Sequence, residues 1–205
     1  MINMLWQAHL SFALLLFLLT PGLGFSPGWQ RLRLAALLAV SFLPVDGLTL
    51  AAYVHSFTGD AAITSLVAML YLAGVRTGFA PPLPRRASVQ ILAVMAALAV
   101  FLYPATLGLS YLDPYRLGYQ PRPLILVVAL LAFALLALKN HLGACMLGLA
   151  TLAFTVGLKA SPNYWDYLID PFIGLYSCCA ILVYVTGRLL RRKATAQTRA
   201  PSLQP

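Results

Sequence analysis

Apolar residues dominate this chain from Leu5 almost to Leu190, and the polar positions that interrupt them fall in short clusters rather than at a regular strand period. Cut at those clusters, the chain gives seven apolar segments: 5–20, 34–54, 61–75, 89–108, 124–138, 143–158 and 171–190. Crossing a hydrocarbon core of roughly 30 Å takes about 20 helical residues at about 1.5 Å each, so each segment is read as a membrane-spanning helix, three of them a little short. A closed barrel would instead show apolar and polar residues alternating in short strands, and the unbroken run 124–138 excludes that. The expected fold is an all-α polytopic integral membrane bundle of about seven transmembrane helices, forming one domain over residues 1–190. The fifth and sixth segments, joined only by Lys139, Asn140, His141 and Leu142, suit a tight hairpin. If they form a re-entrant pair the count falls to six and the N-terminus changes side.

Cations set the orientation, because Lys and Arg in short loops stay cytoplasmic. Arg31 and Arg33 follow the first segment, Arg76, Arg85 and Arg86 the third, Lys139 the fifth, and Arg188, Arg191, Arg192, Lys193 and Arg199 the seventh. The alternate loops hold only Arg116, Arg122 and Lys159. This bias places the N-terminus outside and the C-terminus in the cytoplasm. The first segment has no preceding Lys or Arg and no small-residue cleavage site near Thr20, so it reads as a retained helix. The tail 191–205 is basic and polar with no apolar face, and is expected to be disordered against anionic headgroups. The composition agrees: 61% of residues are hydrophobic, 9% are charged, and the net charge of +9 is spread among loops. With no basic face interleaved with aromatics, nucleic acid is not an expected partner. The Ala- and Leu-rich style suits a bacterial cytoplasmic membrane.

All five acidic residues, Asp46, Asp60, Asp113, Asp166 and Asp170, fall at the opposite, external end. The external loops also collect Tyr111, Tyr115, Tyr119, Tyr164, Trp165 and Tyr167, of which Tyr164, Trp165 and Tyr167 match an aromatic belt at headgroup depth. Asp60 and Asp170, each just before a helix, suit N-caps, as does Asp113 before Pro114 for a short helix or turn. Asp46 is different, because it falls inside the segment 34–54, where an ionised carboxylate costs roughly 2.5–3.5 kcal/mol on insertion scales. Pro44 and Gly47 would open the helix beside it, and Thr49 and Tyr53 would share its face. Tyr103, Thr106 and Ser110 form a second polar stripe, interrupted by Pro104, and the two stripes could line a cavity opening outward. Arg116 or Arg122 could reach back to pair with Asp46. The catalytic candidates are therefore Asp46, Asp113, Arg116 and Asp166, and the substrate-binding candidates Tyr53, Tyr103, Arg122 and Trp165.

No cofactor or metal is expected. His9 and His55 sit near external helix ends, where axial ligation is conceivable, but no ligand spacing accompanies them. Cys145, Cys178 and Cys179 lie within apolar segments and read as packing residues. Ala144-xxx-Gly148 and Ala153-xxx-Gly157 suit small-residue packing seams. Phosphate-binding loops, zinc-protease motifs, nucleophile elbows and dinucleotide fingerprints do not occur. The sequence points to a small multi-pass accessory or partner subunit of a cell-envelope process, presenting an aromatic and acidic external face to another membrane protein, a lipid or a glycan. The alternatives are an intramembrane enzyme acting on a lipid-linked substrate, with Asp46 and Arg116 holding its head group, or a small transporter using Asp46.

Overall fold

A computed structural model describes residues 5–109 and 111–199. The described chain is almost entirely helical: α1 (Leu5–Leu19), α2 (Pro27–Val40), a hairpin of β1 (Pro44–Val45) and β2 (Leu48–Thr49), α3 (Leu50–Thr58), α4 (Ile63–Thr77), α5 (Arg85–Thr106), a 3-10 turn (Pro114–Gly118), α6 (Arg122–Ala137), α7 (His141–Thr155), the short α8 (Trp165–Leu168) and α9 (Pro171–Arg199). Two helices, Arg85–Thr106 and Pro171–Arg191, are long and apolar enough to cross a membrane, whereas Trp6–Leu19, Ile63–Thr77, Arg122–Ala137 and His141–Thr155 are apolar but shorter.

The expected second segment, 34–54, is not one helix. It divides into the end of α2, the hairpin and most of α3, with Pro44 opposite Thr49 and Val45 opposite Leu48. Asp46 and Gly47 form the turn, with φ of 46° and 85°. Positive φ at both central residues is what a two-residue hairpin of right-handed twist requires, and Asp-Gly is among the pairs that adopt it most readily. Asp46 is consequently an exposed turn residue, not a carboxylate inside a helix. Thr49 caps α3 by accepting from the Ala52 amide at 3.2 Å. The last helix also differs from expectation, continuing to Arg199 instead of ending at Leu190. Ser110 and residues 200–205 lie outside the described residues.

The helices alternate in direction between two chemically different ends. At one, Gln7 donates to Ala61 O at 2.6 Å, drawing the start of α1 to the start of α4. Nearby, the Ser41 hydroxyl donates to Leu38 O at 2.6 Å and so accepts from His9 Nδ1 at 2.9 Å, fixing that imidazole tautomer, while the His9 ring stacks on Phe42 at 3.8 Å. This end carries the hairpin and the aspartates. At the other, Arg33 and Arg76 both donate to Phe17 O, at 2.9 and 2.7 Å, and Arg76 also reaches Thr20 O at 3.0 Å. Arg31 donates to Thr77 O at 3.2 Å. These guanidinium groups satisfy carbonyls that the ends of α1 and α4 leave without helical partners, and their charge meets the negative end of each helix dipole.

The expected hairpin of the fifth and sixth segments forms as α6 and α7, which pack against each other. Asn140 turns it: its Oδ1 accepts from Gly143 N at 3.1 Å, and its Nδ2 donates to Ala87 O and Gln90 Oε1 of α5 at 2.9 and 3.0 Å. The close approach on α7 is at Gly143, where a Cβ would sit 2.9 Å from Leu135 Cδ1, while Gly148 faces open space and Gly157 has a φ of 63° just beyond the helix. A buried core runs through α5, α6 and α7 and ends on Tyr164, Trp165, Tyr167 and Leu168.

The hairpin assignment for Asp46 is testable through backbone strain. Asp46→Asn should leave thermal unfolding unchanged because Asn adopts positive φ readily. Asp46→Val should lower stability by about 1–2 kcal/mol, the cost of forcing a left-handed backbone on a residue whose Cβ clashes there. Equal effects of the two substitutions would contradict the turn.

Candidate functional site

The acidic end is organised by the segment 156–170, which folds back over the bundle. The aromatics expected in a headgroup belt are instead buried: Tyr164 and Trp165 are 0% exposed and Tyr167 1%. Trp165 Nε1 donates to Pro114 O at 2.8 Å, and Asn163 Nδ2 donates to Tyr115 O at 3.1 Å, so this segment clasps the 3-10 turn. Gly118 permits the clasp, because a Cβ there would overlap the Asn163 carboxamide and lie 2.8 Å from Trp165 Cδ1. Asp113 Oδ1 caps the turn by accepting from Arg116 N at 3.2 Å. The Tyr164 hydroxyl and Thr151 Oγ1 share a hydrogen bond of 2.6 Å, tying the segment down to α7.

Lys159, only 8% exposed, is the buried cation of this end. Its backbone N–H donates to the Tyr167 hydroxyl at 3.0 Å, and that hydroxyl donates to Lys159 O at 2.9 Å. Its ammonium donates to Ala61 O at 3.0 Å, Asp166 O at 2.8 Å and, more weakly, Asp60 O at 3.5 Å. Burial lowers its pKa below the ordinary 10.5, opposed by the charges of Asp60, Asp166 and Asp170. The Asp170 carboxylate serves two helices. Oδ1 accepts from Ile173 N at 2.9 Å, the N-cap bond of α9, and Oδ2 accepts from Ala62 N at 2.8 Å, at the head of α4. Ala62 occupies the N-cap position of α4 and brings no side-chain acceptor, so a carboxylate distant in sequence supplies one. The Asp170 cap is therefore as the sequence suggested, whereas Asp60 caps nothing and instead lies 3.5 Å from His55 Nε2.

Between these elements lies a cavity of about 310 Å3 lined by Asp60, Tyr103, Thr106, Tyr115, Lys159, Ser161, Asp166 and Asp170, with Leu102, Ile169 and Pro171. Asp166 is oriented by the Tyr115 hydroxyl, which donates to its two oxygens at 3.2 and 3.4 Å, and by a short hydrogen bond from Ser161 Oγ. Burial, the Asp166 charge and the hydrogen bond to it push the Tyr115 phenol up to about 12. Tyr103 is set by close packing of α5 on α9, since a Cβ on Gly174 would lie 2.8 Å from its ring. The lining carries three carboxylates against one ammonium. Its field favours a positively charged guest and opposes a phosphate.

The structure brings Tyr103 and Asp166 of the expected site residues to this cavity. Asp113 and Arg116 are exposed on the turn, Arg122 is exposed at the first position of α6, and Tyr53 is half-buried on α3 away from the cavity. Trp165 is a core residue. Asp46 pairs with neither Arg116 nor Arg122, and the aspartate that lies against a basic side chain among the described residues is Asp60, beside His55. No cluster of three or more metal-ligating side chains occurs among the described residues, and His9 and His55 have separate partners. Lys159, Ser161 and Tyr115 did not stand out in the sequence. The available signal was Lys159 itself, a cation in a loop otherwise rich in aspartate.

Tyr115 gives the site a pH signature. Its folded-state pKa is raised, so the neutral phenol's contribution is fully present below about pH 10, where the unfolded phenol begins to ionise, and is lost as pH rises towards about 12. Tyr115→Phe should flatten this part of the alkaline decline in unfolding temperature, and an unaltered decline would contradict the assignment. Compared with protein-family models, curated proteins and solved structures, the chain matches none.

Proposed function

We propose that the chain is a multi-pass membrane protein of the cell envelope whose acidic end faces outward and binds a cationic group, a binding or accessory role rather than a catalytic one. The observation that carries this reading is the polar cavity, whose three carboxylates outnumber its single ammonium. Large apolar side chains stand exposed along single helix faces, Leu126, Leu130 and Phe133 on α6 and Leu175, Leu182 and Leu189 on α9. Their contiguity is costly in water and suits hydrocarbon or a partner helix. In this reading α1, α2, α4, α5, α6, α7 and α9 are the seven crossings, with α3 and the hairpin at the outer end; their alternating directions support it, and α5 and α9 are the two long and apolar enough to span alone. The arginines that close the opposite end then lie on the cytoplasmic side. The Ala- and Leu-rich composition suits a bacterial inner membrane as the setting.

A binding role fits better than catalysis because the polar groups already hold one another in place. Asp166 is engaged by Tyr115 and Ser161, and Lys159 by backbone carbonyls. Asp46, in an exposed turn outside the cavity, gives no support to a transport route or to a phosphate site shared with Arg116.

Titration of purified protein with butylammonium and with butyl sulfate separates the charge classes. Butylammonium should bind, weaken with added salt, and lose affinity in Asp60→Asn, which leaves the caps of α4 and α9 in place. Preference for the sulfate, or no response to Asp60→Asn, would contradict the cationic reading.

A further inference from the structure

A second cavity, a groove of about 340 Å3, begins at Asp170, which lines both, and runs along α4 towards the basic end. Its outer mouth includes His55 and its far end Leu83 and Ser88, with α1 and α3 on one wall and α9 on the other. Along α4 alone, Ser65 to Leu72 covers ~10 Å at about 1.5 Å per residue, and with the outer mouth and far end the groove approaches the depth of one leaflet, roughly 15 Å. Leu72, Phe172 and Tyr176 line it yet are 50%, 58% and 66% exposed, so it opens sideways, towards hydrocarbon if α4 and α9 cross the membrane.

The lining is apolar except for a few groups, and among these are three buried hydroxyls with no hydrogen-bond partner: Ser11 from α1, Ser65 from α4 and Ser177 from α9. Ser65 is 8% exposed and Ser177 0%. A helical serine ordinarily returns its proton to a carbonyl one turn back, as Thr77 does to Ala73 O at 2.8 Å. A buried hydroxyl left without a partner is costly, and three on different walls of one groove suit an occupant that is apolar along its length and carries a hydrogen-bond acceptor partway down, such as an ester or ether oxygen.

We infer that the groove holds the apolar chain of a single-chain amphiphile, a lipid or lipid-linked molecule, whose polar head lies at the Asp170 end. Resting on the proposed function, the head is the cationic group taken by the neighbouring cavity. One molecule would then use both sites, its chain entering from the bilayer side between Phe172 and Leu72 while its head enters the carboxylate-lined cavity. The sideways opening would let the ligand exchange without dismantling the bundle.

The test uses the full chain in phosphatidylcholine nanodiscs with two probes, tetradecylamine and tetradecyl sulfate, each carrying a photoreactive diazirine at mid-chain, and maps the labelled residues. The expected result is tetradecylamine labelling concentrated at residues 65–72 and 173–177, lost in Ser177→Phe, which fills the groove. Ser65→Leu, from the opposite wall, should have the same effect, and either variant counts if its unfolding temperature is retained. Equal groove labelling by both probes supports the chain site and refutes the cationic head. Labelling spread over the exposed faces of α6 and α9, insensitive to both variants, overturns the groove inference even if butylammonium binds as proposed. Retention of a second protein by mass spectrometry with the groove unlabelled also overturns it, giving the groove to a partner helix.

Discussion

The Asp170 carboxylate holds the beginnings of two helices that are far apart in sequence, and the acidic end is arranged around that bond pair. Without it, α4 would start at an alanine with no side-chain acceptor and α9 would lose its N-cap. A cap of this kind is worth about 0.5–2 kcal/mol per helix. The greater consequence is positional. Ala62 is fixed by Asp170, while Ala61 O accepts from both Gln7 and the Lys159 ammonium, so one short link between α3 and α4 is held from α1, α9 and the 156–170 segment together. Asp60, immediately before it, is thereby presented at the cavity edge beside His55.

The two ends solve the same backbone problem with opposite charges. The starts of α4 and α9 meet a carboxylate at one end, and the finishes of α1 and α4 meet guanidinium groups at the other, each sign matched to the dipole of those helices. At the basic end the guanidinium groups turn inward, Arg33 and Arg76 converging on Phe17 O and Arg33 lying over the Phe17 ring at 4.5 Å. At the acidic end the caps do not exhaust the charge, and the excess carboxylate lines a cavity. The cavity at this end is lined by Asp60, Asp166 and Asp170 against the single ammonium of Lys159, and it adjoins, through Asp170, the apolar groove that holds the unpartnered serines.

Much of this architecture was legible in the sequence because apolar runs and cation spacing report on whole helices. The segments 5–20, 61–75, 89–108, 124–138, 143–158 and 171–190 all correspond to helices, with ends moved by a few residues except in the last, which continues to Arg199. The failure at 34–54 came from reading Val-Asp-Gly-Leu as a tolerated interruption of a helix. The same four residues, with Asp-Gly at the centre, are a turn signal, and packing of His9 against Ser41 and Phe42 helps hold the reversal. That single misreading moved Asp46 from an exposed turn into the bilayer and made it the leading site residue. The candidate site was legible only in part: Asp166 and Tyr103 could be named, but Lys159 and Ser161 become informative only when the 156–170 segment folds back. Trp165 and Tyr167 illustrate the ambiguity, since a Trp/Tyr cluster near an apolar segment reads as an interfacial belt whether it faces lipid or, as here, fills the core.

Hydrogen–deuterium exchange on Asp170→Ala is the most direct measurement of whether one carboxylate couples the starts of α4 and α9 at the head of the cavity. Faster exchange at both 62–66 and 171–175, with the basic end unchanged, is the expected result. Faster exchange confined to 171–175 would mean that Asp170 is an ordinary local cap, and that the acidic end is not held together in the way described.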